Sequence, residues 1–395
     1  MLPLEGVRVL AVEQYGAGPF GTQFLADLGA EVIKIENPAD GGDMARDVGP
    51  HFFGPHDSLF FHSLNRGKKS VTLDIGRPEG RAVLHDLVTT AHAVACNLRG
   101  DVPAKLGLDY AALGRINRAI VCAHLTAYGR SGSRAAWPGY DYLMQAEAGF
   151  LALTGEPGSP PTRFGLSMVD FMAGLALAAA LAAALVGART SGTGRDVDVS
   201  LFDAALASTN YLATWYLNRG HAQQRLPRSA HPSLTPCQLY QTADGWIFIM
   251  CNKEKFWPAL CRAVGRPEWA GDPRFADFSA RLAHRDELNE LLASELCKRS
   301  TAQWMEAFSG NVPAAPVLDL ARALDNPFVT ECGAIQTLEH PQAGRFRALA
   351  PPVRWAGERI PARPAPALGE HTFAVLRALG YEERRIAALR ETGIV

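Results

Sequence analysis

The sequence predicts an α/β fold, a doubly wound parallel sheet in the N-terminal half followed by a smaller α+β domain. Three observations carry this reading. Short apolar strands alternate with amphipathic helices from Val7 to Leu201, and polar residues gather just past the C-termini of those strands. Further on, an Asp-Gly turn between the apolar runs 237–242 and 246–250 signals a hairpin, a different architecture. With 395 residues the chain can hold two or three domains, and its balanced charge, formally −1, makes neither nucleic acid nor a membrane surface an expected partner. The seven cysteines are scattered without a C-x-x-C, so reduced thiols are expected rather than a disulfide framework or a zinc site. Met1–Gly6 has no basic region leading into an apolar one, so no secretory signal is read and a cytoplasmic location is expected.

In chain order, Val7–Val12 is the first strand and Glu31–Glu36 the second, with a helix between them that Gly29 closes. Gly16, Gly18 and Gly21 form a G-x-G-x-x-G at the head of that helix, and Glu36 stands where a dinucleotide enzyme keeps its ribose acid. Pro19, however, removes one of the N–H donors such a loop turns toward a pyrophosphate. A different nucleotide ligand, or a tight turn with close helix packing, fits better than NAD or FAD. Arg66, Lys68 and Lys69 crowd the turn before the strand Ser70–Asp74, as a compact anion site or a solvated basic turn. A helix over Pro78–Leu87 and the strands His92–Cys96 and Ala119–His124 continue the alternation.

Pro138-Gly139-Tyr140-Asp141 opens a helix with an acid in its first turn. The stretch Pro160–Ala188 then places one carboxylate, Asp170, at the head of an Ala/Leu run that stays uncharged until Arg189. Such a run is a strong helix former, expected in the middle of a packed domain, and the positive end of its dipole is expected to keep Asp170 ionised. Asp170 has two readings, a helix cap and a nucleophile. Length alone raises a transmembrane reading, which the Ala/Gly composition and the lack of aromatic belts argue against. Two acids, Asp141 and Asp170, at successive helix starts can act as nucleophile and proton manager. A further strand, Asp196–Leu201, carries Asp203 at its end.

The pattern loosens over Thr209–Thr235, a crossover. The hairpin Cys237–Met250 follows, then helices over Phe256–Val264 and Ala283–Lys298, one capped by Thr301, and a strand Ala314–Val317. Pro327–Gly344 reads as a second crossover, Ala350–Pro366 as an extended Pro-rich segment, and Leu368–Thr372 as the cap of a closing helix ending at Gly380. His124, His231 and His371 lack ligand spacing, so no metal is expected.

Six motifs in this order, G-A-G-P at 16–19, N-R-G-K-K-S at 65–70, P-G-Y-D at 138–141, the lone Asp170 heading its Ala-rich helix, A-D-G at 243–245 and L-G-E-H-T at 368–372, resemble the family III (carnitine dehydratase type) CoA-transferases over the whole chain. The resemblance implies a Rossmann-like large domain from residues 1–208 and 345–395, linkers over 209–235 and 327–344, a small domain over 236–326, and an interlocked homodimer. It implies acyl-CoA and a small carboxylic acid as substrates, with no permanently bound cofactor. Asp170 would be the nucleophile, with Tyr140 and Asp141 flanking the thioester. Gln14, Tyr15, Gly16 and Ala17 would line the acyl-pantetheine channel and offer backbone N–H groups to an oxyanion. Lys68, Lys69 and Leu73 would hold the adenine-phosphate end, continued by Asn97, Leu98 and Lys105, while Lys34 and Asn37 would face the adenosine. Two departures bear on substrate and on function. His231–Pro236 replaces the glycine run of the oxalate-type enzymes, which points to short dicarboxylic acids such as succinate and glutarate. The racemases of the superfamily pair the Asp with a His where this chain has Tyr140, and a Tyr with pKa near 10 is a poor proton-exchange partner. The alternatives are a racemase or isomerase using Asp170 as base, a dinucleotide oxidoreductase, and a non-catalytic acyl-CoA binder.

Overall fold

The computed structural model describes residues 1–341 and 343–395. The chain divides into two compact units, one of Met1–Ala148, Phe164–Ala213 and Phe328–Val395, the other of Gly149–Arg163 and Thr214–Pro327.

The first unit is built on β1 (Arg8–Val12), β2 (Glu31–Glu36), β3 (Lys69–Thr72), β4 (Ala93–Cys96), β5 (Val121–Thr126) and β6 (Asp196–Ser200). They form one six-stranded sheet in the order β3-β2-β1-β4-β5-β6, every neighbouring pair parallel. That is the doubly wound topology predicted, and its order reverses between β1 and β4, where the loops diverge and leave a crevice past the strands' C-termini. The central strands are apolar on both faces, as a parallel sheet covered by helices requires: Val9, Leu10 and Ala11 are fully buried, as are Val32 and Ile33. One core joins Leu10, Ile33 and Val71 of these strands to Leu84 and Leu87 and to Leu376 and Ile386 from the last two helices.

The helix α1 (Ala17–Asp27) follows β1, a short helix α2 (Asp141–Glu147) follows β5, and α3 (Met168–Ser191) is the long Ala-rich helix. α1 and α3 touch at two glycines. A Cβ on Gly21 would stand 2.5 Å from the Gly174 carbonyl oxygen, and one on Gly174 would stand 2.6 Å from the Ala17 oxygen. Only two bare backbones can approach this closely, so the glycine pair fixes where α3 crosses α1. Asp170 lies one turn before Gly174 and is thereby delivered to the N-terminus of α1. α3 does not sit in the middle of the unit as expected: Val169, Ala173, Leu177 and Leu181 are buried, whereas Leu175 and Val186 on the other side are 46% and 65% exposed. By length and composition it is the one helix, among the described residues, apolar enough to cross a membrane.

The second unit carries the predicted hairpin, Cys237–Gln241 with Trp246–Met250, extended antiparallel by Ala314–Pro316. Its core centres on Trp257, Trp304, Phe275 and Phe308. The helix Thr301–Phe308 is capped by Ser300 rather than Thr301, in a reciprocal capping box with Gln303. Both predicted crossovers contain regular structure. Asn210–Arg219 is helical, and Ile335–His340 pairs with Gly344–Leu349 as a hairpin that places Leu338 opposite Phe346. Its alternation of charged and apolar residues satisfies a two-stranded ribbon with one half-buried face, a weak signal beside Pro327 and Gly344.

Candidate active site

Asp170 is the third residue of α3, behind a Ser167 N-cap that makes no side-chain capping bond. Its own N–H is taken by Asp141 Oδ2 at 2.9 Å, and a Cβ built on Gly16 would overlap Asp170 Oδ2. The carboxylate is therefore directed at the Gly16 backbone instead of capping its own helix. It is 7% exposed and lies in the wall of a crevice of about 430 Å³ that is also lined by Gln14, Tyr15, Gly16, Ala17, Asn97, Leu98, Trp137 and Tyr140. Gly16 and Ala17 donate no N–H hydrogen bond among the described residues, so two backbone donors at the positive end of an 11-residue helix stand beside the carboxylate.

Local dipole reasoning misjudged the charge of Asp170. Burial first, and the Asp141 carboxylate second, raise its pKa to about 7, so the group is close to half protonated at neutral pH. Asp141 itself is buried behind Asp170 rather than in the crevice wall. Its Oδ1 accepts from Gln145 Nε2, and Gln145 also donates to the Leu166 carbonyl (3.1 Å) and accepts from Phe164 N–H (2.9 Å). These bonds tie the approach to α3 onto α2. Because Asp141 contributes to the raised pKa, Asp141→Asn is expected to move the Asp170 titration to lower pH. A carbonyl-labelled aspartate NMR titration checks this: a midpoint near 7 in the wild type that stays put in the variant would contradict the coupling.

Of the residues anticipated for the ligand, Gln14, Tyr15, Gly16, Ala17, Asn97, Leu98, Tyr140 and Asp170 come together in one crevice. Others do not. Lys34 is fully buried, its Nζ 2.8 Å from Asp43 Oδ2 and 2.9 Å from the Glu13 carbonyl. Lys68 is buried too, held by Glu13 (2.7 Å), the Pro19 carbonyl and Asn65, and burial pulls its pKa down to about 8. Leu73 belongs to the sheet core. Lys69 is half-exposed but pairs with Glu31, which also holds Arg8, so its ammonium turns toward the N-terminal edge of the sheet, away from the crevice. Asn37 caps a short 3₁₀ turn by accepting from Ala39 N–H. Lys105 is exposed and shares Asp101 with Arg99, and Arg99 does line the crevice mouth.

The acid at the end of β2 is likewise committed. Both Glu36 oxygens are bonded by Arg46, at 2.8 and 2.7 Å, and Ser70 Oγ and Asp43 N–H donate to it as well, which leaves no place for a ribose. Gly18 lies against Asn97, where a Cβ would stand 2.8 Å from the Asn97 side chain, and Gly21 against Gly174. The glycine fingerprint is thus a packing device, and the dinucleotide reading loses its support. Behind the loop, Glu13, Glu36, Asp43, Lys34, Lys68 and Arg46 form a buried, charge-balanced cluster. Removing one member of such a set strands a charge, at a cost of about 3–5 kcal/mol.

The three histidines first considered for metal stand apart. His124 bridges Cys96 and Asp196, His371 accepts from Ser70 N–H, and His231 accepts from Ser233 N–H. A different trio, Asp57, His62 and His340, brings ligand atoms within 4.8 Å of one another, a proximity that long sequence separation concealed. Ala343 N–H donates to His340 Nδ1 at 3.1 Å, which puts the proton on Nε2, 3.1 Å from Asp57 Oδ2. A metal needs that Nε2 lone pair, so the geometry is that of a hydrogen-bonded bridge. Neighbours of the site that sequence reasoning did not single out include Asp43, Glu13, Met44, Arg99 and Trp137; Glu13 and Arg99, charged residues just past strand ends, carried a signal.

Fold and crevice define a class: an α/β protein presenting a buried carboxylate and free backbone donors to a ligand at the C-terminal edge of its sheet. The chain belongs to CoA-transferase family III, whose model matches residues 4–372, and is an enzyme of that class acting on CoA thioesters. It is 36% identical over 392 residues, 97% of each chain, to a succinate–glutarate CoA-transferase of Agrobacterium fabrum. It is also 36% identical over 327 residues, 82% of this chain and 83% of the other, to an acetyl-CoA:oxalate CoA-transferase of Acetobacter aceti. Among solved structures, a CAIB/BAIF family protein from Brucella suis superposes with a TM-score of 0.82 at 32% identity, covering 96% of this chain and 99% of that one.

Proposed function

We propose that the enzyme moves CoA from a short dicarboxylyl-CoA such as succinyl-CoA to a second carboxylic acid, with Asp170 as the covalent nucleophile. The observation that carries this reading is the Asp170 carboxylate set against the Gly16 backbone, next to the N–H groups of Gly16 and Ala17, which donate no hydrogen bond among the described residues. An Asp170 oxygen attacks the thioester carbonyl; the new C–O bond forms, the C–S bond breaks, and CoA leaves as thiolate from a mixed anhydride. The thiolate then attacks the aspartyl carbonyl, the donor acid departs as carboxylate, and an aspartyl-CoA thioester remains. The acceptor carboxylate repeats both steps in reverse, releasing its own CoA thioester and regenerating Asp170. Each step exchanges one activated acyl bond for another, so no ATP is consumed. The Gly16 and Ala17 donors are suited to the oxyanion of each tetrahedral stage.

The relative acting on succinate and glutarate, similar over nearly the whole of both chains, supports the dicarboxylate assignment. A two-base racemase needs a second base across from Asp170, and among the described residues no histidine lines the crevice. A homodimer fits the apolar side of α3, where Leu175 and Val186 are exposed with Leu206 beyond them.

Incubation with succinyl-CoA followed by a hydroxylamine quench is expected to place a hydroxamate on the peptide containing Asp170. An unmodified peptide with succinyl-CoA and with longer and branched acyl-CoAs would remove the nucleophile reading.

A further inference from the structure

The loop that carries the two free donors is held in a conformation it would not choose alone. Tyr15 has φ +68°, a left-handed backbone that a residue with a side chain avoids and that persists only where its surroundings over-determine it. The four backbone polar groups from the Glu13 carbonyl to the Tyr15 N–H are each engaged by a side chain from elsewhere. Lys34 Nζ donates to the Glu13 carbonyl at 2.9 Å. Asn97 takes the Gln14 N–H on Oδ1 (2.8 Å) and donates from Nδ2 to the Gln14 carbonyl (2.7 Å). The Tyr15 N–H goes to Asp43 Oδ1 at 2.9 Å. Asp43 is itself rigidly placed: Ala45 N–H donates to the same oxygen, its own N–H donates to Glu36, and its other oxygen lies 2.8 Å from Lys34 Nζ. One buried ammonium thus holds both ends of the turn, the Glu13 carbonyl directly and the Tyr15 N–H through Asp43.

We propose that Lys34 and Asp43 are positioning residues for catalysis: an internal ion pair, outside the crevice wall, that holds the Glu13–Tyr15 turn so that the next two N–H groups, of Gly16 and Ala17, face Asp170. The inference rests on Asp170 as nucleophile. It reassigns Lys34 from ligand contact to loop support, and gives Asp43, which touches no part of the crevice, a part in the reaction.

The test uses the full-length enzyme and Asp43→Asn, with Lys34→Met/Asp43→Asn as a charge-matched second variant should the single one fail to fold. Three quantities are read: amide exchange over residues 13–18, CoA affinity, and kcat and KM for succinyl-CoA to glutarate transfer. Loop exchange is expected to rise about 10-fold or more and kcat to fall about 10- to 100-fold, while the melting curve stays cooperative and KM for glutarate moves less than about threefold. Wild-type exchange, wild-type kcat, or a loss confined to KM in a folded variant would each overturn the proposal. Hydroxamate capture at Asp170 in the wild type separates the two readings: its absence sinks the nucleophile, while the exchange data still decide whether the ion pair holds the loop.

Discussion

Asp170→Asn is expected to abolish transfer, by about 10³-fold or more, and at the same time to make the protein more stable at pH 8. On the proposed mechanism the first effect follows because the amide cannot form the anhydride. The second follows from the raised pKa. An acid at about 7 in the folded chain, against about 3.9 unfolded, holds a proton in the folded state that the unfolded state has released. Folding stability therefore falls as pH rises from about 4 to about 7 and stays reduced above that. Three pKa units correspond to about 4 kcal/mol at the upper limit, since each is worth 1.36 kcal/mol. The isosteric amide carries no charge, so its advantage should be largest above pH 7 and vanish toward pH 4. Denaturant unfolding of both proteins at pH 5 and pH 8 checks this. A variant less stable than wild type at pH 8 would show that the buried charge is compensated by contacts its environment does not display. On the proposed mechanism this cost serves the reaction: a carboxylate kept poorly solvated is a better nucleophile and a less stable one.

Gly16→Ala should separate chemistry from folding in a second way. At Gly16 the φ of −111° lies outside the left-handed region that favours glycine. What the position needs is the missing methyl: a Cβ would overlap Asp170 Oδ2. The overlapped atom is the end of a side chain, so the carboxylate rotates away and the fold survives, but it leaves the Gly16 and Ala17 donors. A displacement on the order of 1 Å costs about 10²-fold in rate, and that loss in kcat with a melting temperature close to wild type is the expected result. Turnover within about threefold of wild type would mean the carboxylate does not act from this position.

Much of this molecule was legible before any coordinate. The alternation of strands and helices, the hairpin at 237–250 and the helix headed by Asp170 follow from apolar periodicity, turn residues and Ala-rich composition, which are local properties the chain carries wherever it goes. Ordered motifs led to the family, and with it to Asp170 and the loop 14–17. The cations were not legible in this way. Lys68 and Lys69 are neighbours in the sequence, yet one is enclosed by Glu13 and Asn65 and the other turns toward Glu31 at the far edge of the sheet. The family resemblance implied a ligand contact for Lys34; its partners, Glu13 and Asp43, lie on loops that only the folded sheet brings to it. The ionisation of Asp170 has the same origin. The helix dipole is a local field and favours the carboxylate, but burial and Asp141, 29 residues away, outweigh it. Local sequence specifies most of the elements and singles out Asp170 as the candidate nucleophile. The charge on that side chain, and the ammonium groups that hold its loop, were decided by tertiary structure, because desolvation and Coulomb energy depend on distance in space rather than along the chain.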